Sequence, residues 1–159
     1  MEPRIAHAEV APGAVKAMYG LETYVRHCGL EPSLLELVKL RASQINGCAY
    51  CIDMHTKDAR AAGETEGRLY AVPVWRETPF FTPRERAALA WAEAVTDIAG
   101  SGVPDSAYDA VRAEFSEREV VDLTMAVVEI NAWNRIAMAL RAEPGSYQPP
   151  APQEKAPQG

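Results

Sequence analysis

Cysteine and histidine are both scarce in this sequence, with three of each among 159 residues. So few cysteines, and an odd number, make a poor disulfide framework for a chain this long. Long apolar runs are missing too. Nothing approaches the ~18–20 consecutive apolar residues that a membrane-spanning helix needs. The opening stretch Met1-Glu2-Pro3-Arg4-Ile5-Ala6-His7 lacks the basic-then-apolar pattern of a secretory signal, so a cytoplasmic protein is expected. Positive charge is in deficit. Sixteen Lys and Arg against 22 Asp and Glu leave a formal charge of −6 with no basic stripe. Nucleic acid and anionic membrane are therefore not expected partners. No segment alternates apolar and polar residues with period two, and no internal repeat is visible.

What is present is helical periodicity. Apolar residues make up 48% of the chain, enough for one domain with its own core. The pattern predicts helices over 11–27, 32–47, 48–62, 64–72, 83–99, 104–115 and 116–141. Pro32 and Pro83 suit first helical turns. Thr82-Pro83-Arg84-Glu85 and Ser116-Glu117-Arg118-Glu119 read as capping boxes. Trp75 to Phe81 reads as a loop. In the last helix Val120, Leu123, Val127, Ile130, Ile136 and Leu140 nearly encircle the axis, which marks burial in a core or between subunits. With Trp75, Phe80 and Phe81 in a loop, this predicts a homo-oligomer. The class is all-α, with one domain over 1–142. A tail over 143–159, rich in proline and polar residues, reads as extended or mobile.

Two of the three cysteines fall in Cys48-Ala49-Tyr50-Cys51, with His55 four residues further on and Glu36 twelve before. Helical positions three and four apart share a face, so Cys48, Cys51 and His55 form one stripe. If 32–47 and 48–62 make an antiparallel pair turning at Asn46-Gly47, Glu36 lies roughly 16 Å before the turn and His55 roughly 12 Å after it. The order along the pair becomes Glu36, His55, Cys51, Cys48: carboxylate, imidazole, thiol, second thiol. This suits a proton relay to a redox pair. Taken singly, Glu36 would read as a solvated residue pairing with Lys39, and a lone CxxC is ambiguous between redox and metal chemistry. Asp53, Lys57 and Asp58 read as solvent charges, and Cys28 as a small, partly buried side chain.

At these residues the chain resembles the carboxymuconolactone decarboxylase superfamily, in its alkylhydroperoxidase D-like branch. Leu37 to Gly47, Trp75-Arg76-Glu77, Ala88-Leu89-Ala90-Trp91 and Asn131-Ala132-Trp133-Asn134-Arg135 carry the resemblance beyond the four site residues, over about 10–145. It implies an all-helical, alkylhydroperoxidase D-like fold that assembles into homotrimers or homohexamers. It also implies a thiol-dependent peroxidase with Glu36, Cys48, Cys51 and His55 as catalytic residues. One position departs. Well-studied peroxidases of the branch carry histidine immediately before the second cysteine, where this chain has Tyr50, a phenol of ordinary pKa ~10.

The leading expectation is reduction of hydroperoxides through a CxxC dithiol/disulfide cycle, with no cofactor. The reductant would be a dithiol protein: thioredoxin-like, lipoyl-bearing or a peroxiredoxin. Cys51, one turn from His55, is the expected attacking thiolate and Cys48 the resolving one, although Cys48 lies nearer the helix start, where the dipole favours a thiolate. The rivals are a disulfide reductase or redox sensor for which peroxide is not the substrate, and a zinc module using Cys48, Cys51 and His55. Structural zinc needs a fourth ligand, for which the sequence offers only His7, His27 or Cys28.

Overall fold

The computed structural model describes residues 2–149. The part of the predicted tail beyond 149 lies outside the described residues. Helices α1 (His7–Val10), α2 (Pro12–Arg26), α3 (Pro32–Asn46), α4 (Ala49–Ala61) and α5 (Glu66–Ala71) lead into a 3-10 helix at Val72–Glu77. Then follow α6 (Pro83–Thr96), α7 (Ile98–Ser101), α8 (Asp105–Glu114) and α9 (Glu117–Leu140). Among the described residues there is no strand.

The local chemistry sets these boundaries. Pro12, Pro32 and Pro83 occupy first turns, where a missing N–H costs nothing. Both capping boxes form, Thr82 with Glu85 and Ser116 with Glu119. α3 ends on Gly47, whose φ of 73° is left-handed and disfavours a residue with a Cβ. Cys48 follows as the N-cap of α4. The α3–α4 turn is thus two residues long, which forces the helices to run back along one another.

α3 is the central element, packed against α4, α6 and α9. Val25, Leu34, Val38, Ala88, Trp91, Leu123 and Val127 form one part of the core; Leu37, Leu40, Leu69, Val72, Trp75, Phe81 and Leu89 form another. A polar ladder ties α3 to α9. The Asn46 side-chain amide donates to Asn131 at 2.9 Å and to Asn134 at 2.8 Å, and Asn134 donates to Ser43 Oγ at 3.0 Å. Each such bond contributes roughly 0.5–1.5 kcal/mol, and orphaning one of its buried members costs more. The ladder holds the end of α3, and so the position from which α4 departs.

Four expectations need correction. Trp75 and Phe81 are buried within the single chain, so they give no support to an oligomer; of that trio only Phe80 is exposed. The 3-10 turn carries Trp75 inward, where its indole donates to Glu93 Oε1 at 2.9 Å under the guanidinium of Arg76. The helix starting at Pro83 stops at Thr96, because Asp97 leaves helical geometry, and Ile98 in the separate α7 is exposed rather than on a core face. Lys39 does not pair with Glu36: it points to α9 and lies 3.0 Å from Glu129, with both residues buried. Finally, Asp53, Lys57 and Asp58 are not free solvent charges. Residues 143–149 return along α4 and bond to all three.

Candidate active site

The site grows from the two-residue turn. Because α4 runs back along α3, His55 comes level with Glu36, and His55 Nδ1 lies 2.8 Å from Glu36 Oε2. With Nδ1–H donating to the carboxylate, Nε2 is the ring nitrogen left over. Nε2 is buried without a hydrogen-bond partner, in a residue only 5% exposed. A buried, unpaired acceptor is costly, and this one sits on the helix face that carries Cys51 one turn earlier.

Cys48 and Cys51 are joined by a disulfide. Each residue is 1% exposed. Cys48, as N-cap, accepts the Cys51 amide N–H at 3.4 Å, which places its sulfur at the positive end of α4. The pair packs with Ala42 of α3 and Ile130 of α9, and Tyr50, Trp133 and Ala137 close over this group. Tyr19 packs against Trp133 in a tilted arrangement with ring centroids 5.6 Å apart. Burial, reinforced by Tyr19, Asp53 and Asp58, pushes the Tyr50 phenol above its ordinary value. Tyr50 therefore holds its proton at neutral pH.

The structure thus brings all four sequence-derived residues onto one helix pair, in the order carboxylate, imidazole, dithiol. It adds one that sequence reasoning set aside. The potential ligand atoms of Glu36, His55 and Asp58 lie within 4.8 Å of one another. Each has its bond supplied by protein: His55 Nδ1 faces Glu36, and Asp58 Oδ1 accepts the Tyr147 hydroxyl at 2.7 Å. Two separate hydrogen bonds hold the cluster, one between His55 and Glu36 and one from Tyr147 to Asp58. Asp58 could have been found by spacing, since it lies three residues beyond His55 on the same face. Tyr147 carried no such signal. Cys28, the free cysteine, packs on the core beside α2, and nothing links it to the site.

The site is a buried Cys48–Cys51 disulfide on the same helix pair as a carboxylate–imidazole contact in an all-helical domain, and comparison with known proteins gives the lineage. The carboxymuconolactone decarboxylase family model matches residues 12–94, and the chain belongs to that family, in its alkylhydroperoxidase D-like branch. The uncharacterized protein YdfG of Bacillus subtilis is 44% identical over 140 residues, covering 88% of this chain and 95% of YdfG. A structure from Agrobacterium tumefaciens, of unknown function and described as a candidate AhpD antioxidant defence protein, is 48% identical with a TM-score of 0.88. It covers 90% of this chain and 98% of its own. The alkylhydroperoxidase AhpD core of a peroxidase-related protein from Ralstonia eutropha shares the fold, with a TM-score of 0.76 at 21% identity, over 87% of this chain and 74% of its own. Among the described residues, no helix is long and apolar enough to cross a membrane.

Proposed function

We propose that this protein is a thiol-dependent peroxidase working through the Cys48–Cys51 pair. In the reduced form His55 Nε2 takes the Cys51 proton, and Glu36 steadies the resulting imidazolium through Nδ1. The Cys51 thiolate attacks the terminal oxygen of a hydroperoxide; the O–O bond breaks, and the departing alkoxide takes the proton and leaves as alcohol. Cys51 is now a sulfenic acid. Cys48 attacks that sulfur, expels water and closes the disulfide. A dithiol protein of the cytoplasm restores both thiols by exchange, entering at Cys48.

The observation that carries this reading is the 2.8 Å Glu36–His55 contact, which leaves Nε2 unpartnered one turn from Cys51. Membership of the alkylhydroperoxidase D-like branch supports the same chemistry. The working form is a homotrimer or homohexamer. Val121 and Val128, seven residues apart on one exposed face of α9, support that assembly. The test is to mix fully reduced protein with an organic hydroperoxide and excess small dithiol. Many equivalents of hydroperoxide consumed per chain are expected. A reduced protein that leaves the hydroperoxide intact overturns the reading.

A further inference from the structure

The segment 143–149 does not drift away after α9. Gly145 N–H donates to Asp53 Oδ2 at 3.1 Å, Lys57 Nζ donates to the Tyr147 carbonyl at 2.9 Å, and the Tyr147 hydroxyl donates to Asp58 Oδ1 at 2.7 Å. Lys57 is itself fixed by Asp53 at 2.8 Å. The stretch of α4 from Asp53 to Asp58 is thereby strapped by one short piece of chain, and α4 is the helix that carries Cys51 and His55. The strap's one aromatic side chain ends on the carboxyl group that stands beside the Glu36–His55 pair.

We propose that Asp58 and Tyr147 are positioning residues of the dithiol site: Tyr147 clamps the Asp58 carboxyl against the Glu36–His55 pair, which keeps the Nδ1–H directed at Glu36 and shielded from water. The role in proton handling rests on the peroxidase reading above; the clamp itself does not. The groups that bear on Asp58 are Glu36 on α3, His55 on its own helix, Tyr147 on the strap and, more weakly, Arg26 at the end of α2. Burial pushes the Asp58 carboxyl up, with the Tyr147 bond acting against it. The Tyr147 phenol is pushed well above its ordinary value by burial and by its bond to Asp58, so at neutral pH it is a firm donor. A phenylalanine at 147 would keep the ring and lose only that bond. Nothing in the sequence of a proline-rich terminal segment announces such a contact.

The test reads the Nδ1–H proton directly, by its low-field NMR signal and its exchange with water, in the full chain and in Tyr147→Phe and Asp58→Ala. The indole N–H of Trp91 is the control: it bonds Thr124 Oγ1 at 3.0 Å in the core cluster away from the dithiol. Loss of one clamping bond should speed His55 Nδ1–H exchange roughly three- to tenfold in Tyr147→Phe. Asp58→Ala, which removes the acceptor, should match or exceed this, with the Trp91 proton unchanged in both. Unchanged His55 exchange in both variants overturns the proposal. So does equal acceleration of the two protons, which would make the strap a general stabiliser. The measurement needs no peroxide. A protein that shows the selective exchange but consumes no hydroperoxide would refute the proposed function and leave the clamp standing.

Discussion

His55 on α4 meets Glu36 on α3 at 2.8 Å across the two-residue turn at Gly47-Cys48, and this contact leaves Nε2 unpartnered in a residue one turn from Cys51. Both residues sit in regular helix, so the relay is preset by the register of the helix pair and not by a loop. Replacing either one should leave the helical content intact. Glu36→Gln and His55→Gln should each slow hydroperoxide-driven disulfide formation by about 10²-fold, the lower range for loss of a positioned proton acceptor. Stopped-flow fluorescence, with Trp133 packed beside the disulfide as reporter, checks this.

The buried Lys39–Glu129 pair joins α3 to α9 beneath the site. Glu129→Ala would strand the Lys39 ammonium, whose residue is 8% exposed, and should cost about 3–5 kcal/mol in denaturant unfolding. Replacing both by apolar residues of similar size should restore most of that loss. If Glu129→Ala costs no more than a surface substitution, the pair is not isolated from water.

Acid stability should depend on Glu119. Its backbone bond to Ser116, and then the Arg84 guanidinium, hold its carboxyl down at about 2, against an ordinary 4.5. A carboxyl depressed on folding stabilises the folded state fully above its unfolded value and loses that contribution as pH falls through the folded one. Stability should therefore decline between about pH 5 and pH 2, and Glu119→Gln should flatten that decline. Unfolding midpoints taken across this range measure it.

Val121 and Val128 remain exposed on α9 while Val120, Leu123 and Val127 fill the core. Val128→Asp should lower the mass measured by light scattering from a trimer or hexamer toward a monomer, with the helical content unchanged. A wild-type protein that is monomeric at micromolar concentration would contradict the assembly.

Much of this was legible in the chain because the relevant chemistry is local. Cys48, Cys51 and His55 share a helix whose start is fixed by Gly47, so their common face followed from spacing alone. Glu36 followed once the short turn made the two helices antiparallel, and the capping boxes at Thr82 and Ser116 marked two helix starts directly. What stayed hidden depends on long-range partners. Trp75 is buried because Glu93, Arg76 and Arg86 surround a 3-10 turn that begins beside Pro73, a pattern too short to show periodicity. Asp58 looked like an ordinary surface acid because its neighbour arrives from Tyr147, 89 positions away. Lys39 looked like a partner for Glu36 by helix spacing, yet the burial of Glu129 on α9 claims it.

In the proposed cycle Cys51 meets the oxidant and Cys48 resolves it, and trapping the intermediate tests this most directly. Reduced Cys48→Ser and Cys51→Ser proteins are each exposed to one equivalent of an organic hydroperoxide with a sulfenic-acid trap, and the labelled residue is located by mass spectrometry. Cys48→Ser should carry the label stoichiometrically at Cys51, and Cys51→Ser should carry little at Cys48. Label at Cys48 in Cys51→Ser, formed as fast as wild type oxidises, with Cys48→Ser inert, would reverse the two roles and remove His55 from the attacking step.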